Sequence, residues 1–208
     1  MSSTIITQRK PESSPQPRGR LTGVVYLLYF LMAILAQLLT GRNFDFFANA
    51  TNLISIGFYL ALTLLFYGMF KPVSRGLSLL AALFSLAGCV VMGLGIFPAT
   101  TLLVNPLLFF GPYCLLIGYL VFRSTFLPRI LGVLMALAGL GWLAFLSPSI
   151  VQHLAIYIEG LGILAEASLM LWLIVKGVNL QRWNEQASKG MKAALRHSSA
   201  PTELSWTD

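Results

Sequence analysis

Two acidic residues stand where acids are costly. Glu159 and Glu166 fall in an apolar stretch at about 154–175 that holds no Lys or Arg. Seven residues is close to two helical turns, so on a helix the two carboxyls share a face about 10 Å apart. Glu166 is near the middle of the stretch and Glu159 is towards its start. A carboxyl surrounded by apolar chain either handles protons or cations, or is a hydrogen-bonded packing residue. Both roles stay open for Glu166, the leading candidate, and for Glu159. The hydrogen-bonding residues of the other apolar stretches include Gln37, Asn52, Ser55, Tyr59, Ser85, Asn105, Tyr113, Tyr119 and Ser168.

Other residue types offer less. His153 and His197 are the two histidines, expected on opposite sides of a membrane, too few and too separated for a metal or haem site. Cys89 and Cys114 lack CxxC spacing and read as small packing residues. No catalytic, cofactor-binding or metal-ligating set emerges, and no cofactor is expected. Asn105-Pro106 and Gly111-Pro112 place two prolines in one apolar stretch, where each removes a helical hydrogen bond; Pro106 and Pro112 are therefore candidate kinks. Gly132, Ala136 and Gly139 form a small-residue face that lets another helix approach closely.

These residues need elements to hold them, and composition defines the kind. Of 208 residues, 57% are hydrophobic and 10% charged, against roughly 25% charged in a soluble domain. That leaves too little polar material for a water-facing surface, so the expected surroundings are a lipid bilayer. Six apolar stretches, at about 21–40, 51–70, 77–97, 102–122, 129–147 and 154–175, each approach the roughly 20 residues that a helix needs to cross a bilayer. The runs are too long, and alternate too little, for strands. The expected fold class is all-α: a polytopic transmembrane bundle of six helices.

Charge sets its orientation. The chain carries 14 Lys and Arg and a net charge of +7. Alternating spans place Arg9, Lys10, Arg18, Arg20, Lys71, Arg75, Arg123, Arg129, Lys176, Arg182, Lys189, Lys192 and Arg196 on one side and Arg42 on the other. Basic residues mark the cytoplasmic side, so both termini are expected there. A nucleic-acid partner is not expected, because the basic residues form no reading face. Other membrane proteins remain open as partners.

Residues 1–20 read as a disordered cytoplasmic tail, rich in Ser, Pro, Gln and Arg. The first apolar stretch is too long for a cleaved signal peptide, although Ala48-Asn49-Ala50 resembles a cleavage site. Asn49-Ala50-Thr51 matches a glycosylation sequon but abuts the second stretch. Residues 177–208 form a second tail. Its first part carries a stripe of Leu180, Trp183, Ala187, Met191 and Leu195, expected to lie on the inner leaflet with Trp183 among the headgroups. Tyr67 to Lys71, Tyr119 to Arg123 and Trp172 to Lys176 each end an apolar stretch with an aromatic and a basic residue; an interfacial belt accounts for this without an internal duplication.

The segment from Phe110-Gly-Pro-Tyr through Gly118-Tyr-Leu-Val-Phe-Arg123-Ser to Pro128-Arg-Ile-Leu-Gly132 resembles the domain of unknown function 4386 family, small multi-pass membrane proteins found mainly in bacteria. Glu166-Ala-Ser-Leu-Met-Leu-Trp172 through Asn179, Lys71-Pro-Val-Ser-Arg75 and Arg20-Leu-Thr-Gly23 are similar to that family's last helix, second loop and start. The resemblance spans about residues 18–180. It implies a helical bundle in the bacterial cytoplasmic membrane and implies no activity. Family members often carry an arginine in the third helix where this chain has Ser85, so that position offers no charge partner to Glu166. The leading expectation is a non-enzymatic scaffold, sensor or partner subunit. The alternatives are a small proton- or cation-coupled transporter using Glu166, and an intramembrane enzyme acting on lipid.

Overall fold

The structure, a computed structural model, describes residues 19–41, 44–96 and 104–198, with 193–198 described by backbone alone. The tail to residue 18, Arg42, the loop near 98–101 and the chain beyond 198 lie outside the described residues, as do the side chains of Leu195, Arg196 and His197. Among the described residues the fold is all-helical: α1 (Gly19–Leu39), α2 (Asp45–Phe70), α3 (Arg75–Leu94), α4 (Leu107–Arg123), α5 (Arg129–Ala144), α6 (Pro148–Val175) and α7 (Leu180–Ser198). By length and composition, α1, α2, α3 and α6 can cross a membrane; α4 and α5, of 17 and 16 residues, are apolar but shorter.

Local chemistry explains the boundaries. Pro106, expected to kink a helix beginning near 102, instead opens α4 at its N-cap position. The Leu107 N–H donates to Asn105 Oδ1 at 2.9 Å, so Asn105-Pro106 is a start signal rather than a bend. Pro112 does lie inside α4, where it withholds a hydrogen bond from the Leu108 carbonyl. α6 ends at Gly177, whose φ of +68° suits a residue without Cβ; its N–H donates to the Trp172 carbonyl at 3.1 Å. Asn179 Oδ1 then accepts from the Arg182 N–H at 3.1 Å and caps α7. α2 starts at Asp45, earlier than expected, and takes the sequon into a helix; Thr51 Oγ1 donates back to the Phe47 carbonyl.

α1 to α6 form a closed ring. Each packs on its neighbours in sequence, and α6 returns to α1. The ring's outside is apolar on every helix, with Leu31, Leu53, Leu83, Leu108, Ile130 and Leu164 exposed, while Thr22, Ser55, Thr63 and Ser85 are buried inside. In water this distribution would be unfavourable; in lipid it needs no correction. Thr63 satisfies its hydroxyl on the Tyr59 carbonyl and shares a hydrogen bond with Ser85.

The tightest seam joins α4 to α5. A Cβ added at Gly118 would lie 2.7 Å from the Gly132 oxygen and 2.7 Å from the Ala136 nitrogen, and one added at Gly139 would lie 2.8 Å from the Gly111 oxygen. The small-residue face of α5 thus meets a matching glycine face, Gly111 and Gly118, on α4. Backbone contact of this kind replaces the hydrophobic drive that lipid cannot supply between helices.

α7 crosses one end of the ring. Its Trp183 is not among headgroups: it is 2% exposed, and its indole N–H donates to the Met69 carbonyl at 2.9 Å. Gln186 Oε1 accepts from the Thr125 N–H and hydroxyl, and Arg182 donates to the Thr125 carbonyl. Burial of the indole with its N–H bonded to the α2 terminus wins over the interface because the loop after α4 leaves a socket there. Phe70 likewise leaves the expected belt, stacking inside on Phe66 and Phe126. Tyr119 and Phe122 stay exposed, with Arg123 over the Tyr119 ring and Arg129 over the Phe122 ring, each at 5.8 Å.

The seam gives a direct test. Gly132→Val drives a branched side chain into the α4 backbone and should cost about 1–3 kcal/mol. Gly160, whose Cβ would meet nothing within 4 Å, should accept alanine without loss. Thermal unfolding of both variants in detergent should separate them, and equal stability would refute the seam.

Candidate functional site

Glu166 sits on α6 nine residues before its end, facing α1. The Tyr26 hydroxyl donates to Glu166 Oε2 at 3.1 Å. The Trp142 indole, from α5, approaches the same carboxyl. Both partners are neutral, and the described Lys and Arg residues lie at the helix ends and on α7. Tyr29 and Tyr59 pack edge to face at 4.8 Å, and Tyr59 lies 5.9 Å from Tyr113. Tyr26, Tyr29, Tyr59, Tyr113 and Cys114 all lie within electrostatic reach of the carboxyl. Glu166 therefore heads a buried file of phenols running from α1 through α2 to α4.

Glycines position these groups. A Cβ at Gly23 would lie 2.7 Å from the Ile174 nitrogen, and one at Gly19 would lie 2.8 Å from the Val178 nitrogen. α1 and α6 thus touch backbone to backbone near the start of α1, and Tyr26 is carried onto Glu166 one turn later. Gly162 makes room for Trp142, whose Cζ2 occupies the place of its missing Cβ. Tyr26, Phe30, Ala33 and Gln37 fall at i, i+4, i+7 and i+11, one face of α1.

Beyond Tyr26 a cleft lies between the two helices. The cleft between them has a volume of about 440 Å³ and is lined by Tyr29, Phe30, Ala33, Ile34, Gln37 and Leu38 of α1, Trp142 of α5, and Ile163 and Glu166 of α6. Ile34, Leu38 and Ile163 at its mouth are 53%, 54% and 58% exposed. The mouth therefore opens onto the ring's outer surface, where Gln37 is exposed beside these apolar residues. Glu166 is half-buried at the inner end.

The cleft takes some expected residues and leaves others. Gln37 lines it with Glu166. Glu159 is exposed and does not line the cleft, so the shared helical face does not become a shared site. His153 is exposed too. Ser85 faces Thr63, and Ser168 donates to the Leu164 carbonyl of its own helix at 2.6 Å. Tyr26, Tyr29 and Trp142 were not singled out by sequence, although the polar-tipped stripe on α1 was there to be read.

Fold and site together define an all-helical bundle of the membrane-protein type. Residues 103–177 match the model of the domain of unknown function DUF4386, and this is the family that the chain resembles. The matched segment contains Trp142 and Glu166 and excludes α1 with Tyr26. An uncharacterised protein of Archaeoglobus fulgidus is 27% identical over 121 residues, covering 55% of this chain and 74% of the relative. No solved structure matches the chain.

Tyr26→Phe tests the hydrogen bond alone. It keeps the ring, which packs on Phe30 and Phe66, and removes the donor. The expected loss is about 0.6 kcal/mol, the average for such bonds inside membranes. Stability unchanged in Tyr26→Phe and also in a Tyr26→Phe, Glu166→Gln double variant would remove the bond from the account.

Proposed function

We propose that the chain is a non-enzymatic integral membrane protein of the cell membrane, with α1 to α6 as six spans, both termini cytoplasmic, and Glu166 as a proton- or cation-handling carboxyl. One observation carries the functional part: a carboxyl with neutral partners lines a cleft that opens on the ring's outer surface. A carboxyl kept only for packing would be enclosed by hydrogen-bond donors, with no cleft leading to it. A purely scaffolding role would leave the cleft without a use. A lipid-acting enzyme would need an activated nucleophile in the cleft, and the thiol of Cys114 is buried in the core and does not line it.

Two features support the orientation. Alternating spans put thirteen of the 14 basic residues on one side. The α2 end, the loop after α4 and α7 meet at one end of the ring. The short α4 and α5 are matched to the bilayer by local thinning or by residues flanking their ends, at modest cost. Reporter domains fused after Arg75, Arg123 or Lys189 should report cytoplasm, and a fusion after Ser149 should report the far side. A cytoplasmic signal at Ser149 would sink the six-span arrangement.

Glu166→Gln keeps the shape and an acceptor for Tyr26 but holds no exchangeable acid proton. Reconstituted wild type should show a buried-carboxyl band in pH-difference infrared spectra, lost in Glu166→Gln at normal abundance. Glu166→Leu also strands the Tyr26 hydroxyl and should cost about 1 kcal/mol. An unchanged band in the Gln variant would reject proton handling at this residue.

A further inference from the structure

We infer that the cleft between α1 and α6 binds an organic cation with an apolar body, its charge against Glu166. The inference rests on the functional reading of Glu166 and names the occupant of that site. Four observations lead to it. The mouth is bordered by the exposed Ile34, Leu38 and Ile163, with the exposed amide of Gln37 beside them, so a ligand with a mostly apolar body suits the entrance. The walls carry the aromatic rings of Tyr29, Phe30 and Trp142, whose faces attract cations. The inner end carries a carboxyl whose hydrogen-bond partners are neutral, so a positive charge there meets an uncompensated acid. The volume, about 440 Å³, falls in the range of small-molecule sites.

Charge complementarity sets the sign of the ligand. An anion would meet a carboxylate or, with Glu166 protonated, little more than a phenol and an indole. A hard divalent cation such as calcium or magnesium takes about six or more oxygen ligands, and the side chains lining the cleft offer oxygens only at Glu166, Gln37 and Tyr29. An apolar body with a buried positive centre loses little hydration on entry, and the aromatic walls replace what it loses. The site then holds either a proton on Glu166 or the organic cation beside its carboxylate. When the cation enters, the acid proton leaves to bulk water and the charge in the cleft is unchanged. The ionisable groups facing Glu166 are Tyr26 and Tyr29 of α1, Tyr59 of α2, and Tyr113 and Cys114 of α4. None of them is cationic, so Glu166 is the group that exchanges its proton.

The probe is tetraphenylphosphonium, with tetraphenylborate as an anion of the same shape. Binding of each to the full chain in zwitterionic nanodiscs is measured by equilibrium titration, with proton release followed in weak buffer. Tetraphenylphosphonium should bind saturably, release up to one proton per site at acid pH, and bind more tightly as pH rises. Tetraphenylborate should not saturate. Glu166→Gln should weaken tetraphenylphosphonium at least tenfold and abolish proton release. Ala33→Trp, which fills the cleft and leaves the carboxyl, should weaken it similarly, while Leu64→Trp on the lipid face of α2 should not. Gel filtration and helical circular dichroism confirm that each variant is folded, and a misfolded Glu166→Gln leaves Ala33→Trp to decide. No saturable binding to wild type, equal binding of tetraphenylborate, or full binding in a folded Glu166→Gln or Ala33→Trp variant would each overturn the inference. If the cation fails to bind while the Glu166 infrared band still titrates, the inference falls and the functional reading stands. If the band is also absent, both fall.

Discussion

The approach of α1 to α6 at Gly23 is the constraint on which the rest depends. Any side chain at Gly23 would strike the Leu173 and Ile174 backbone. With glycine there, the two helices touch, the ring closes, and Tyr26 arrives within hydrogen-bond distance of Glu166. The cleft begins where Tyr29 and Phe30 stand in place of glycine on α1. One backbone contact therefore closes the bundle and satisfies the acid.

A second glycine seam does different work. At α4 and α5 the glycines lie on both helices along the whole contact, Gly111 and Gly118 against Gly132 and Gly139. The helices stay together throughout. These are also the two shortest helices of the ring, so close packing offsets what they lack in length. The contrast between the seams is a matter of distribution: glycines run along the entire α4–α5 contact, whereas on α1 they lie near one end.

Polar groups follow the logic of a solvent that forms no hydrogen bonds. Thr51, Thr63 and Ser168 bond to carbonyls one turn back, and Trp183 reaches the exposed end of α2. Among the described residues the buried hydroxyls of Ser78 and Tyr113 have no hydrogen-bond partner, and Glu166 has an open cleft on one side. A residue that breaks the local rule without evident compensation is where function is to be sought.

The sequence by itself determined the all-helical class, the apolar exterior, the small-residue face on α5 and the prominence of Glu166, because hydropathy, glycine spacing and the cost of a charge in lipid are local properties. It could not tell that Pro106 starts a helix while Pro112 sits within one, since the cap by Asn105 depends on where the preceding chain turns. Position in the stretch ranked Glu166 above Glu159, but helical period puts both on one face, and only the neighbour opposite each decides whether that face meets Tyr26 or open surroundings. Trp183 shows the same division. Its amphipathic stripe was legible, but a stripe of that kind suits a lipid surface and a protein socket equally, and the choice fell to the loop after α4 and the end of α2. Tertiary structure decided these points because in a bundle of uniformly apolar helices the identity of each neighbour is set by fine packing at glycines, which leaves only a faint trace in composition or period.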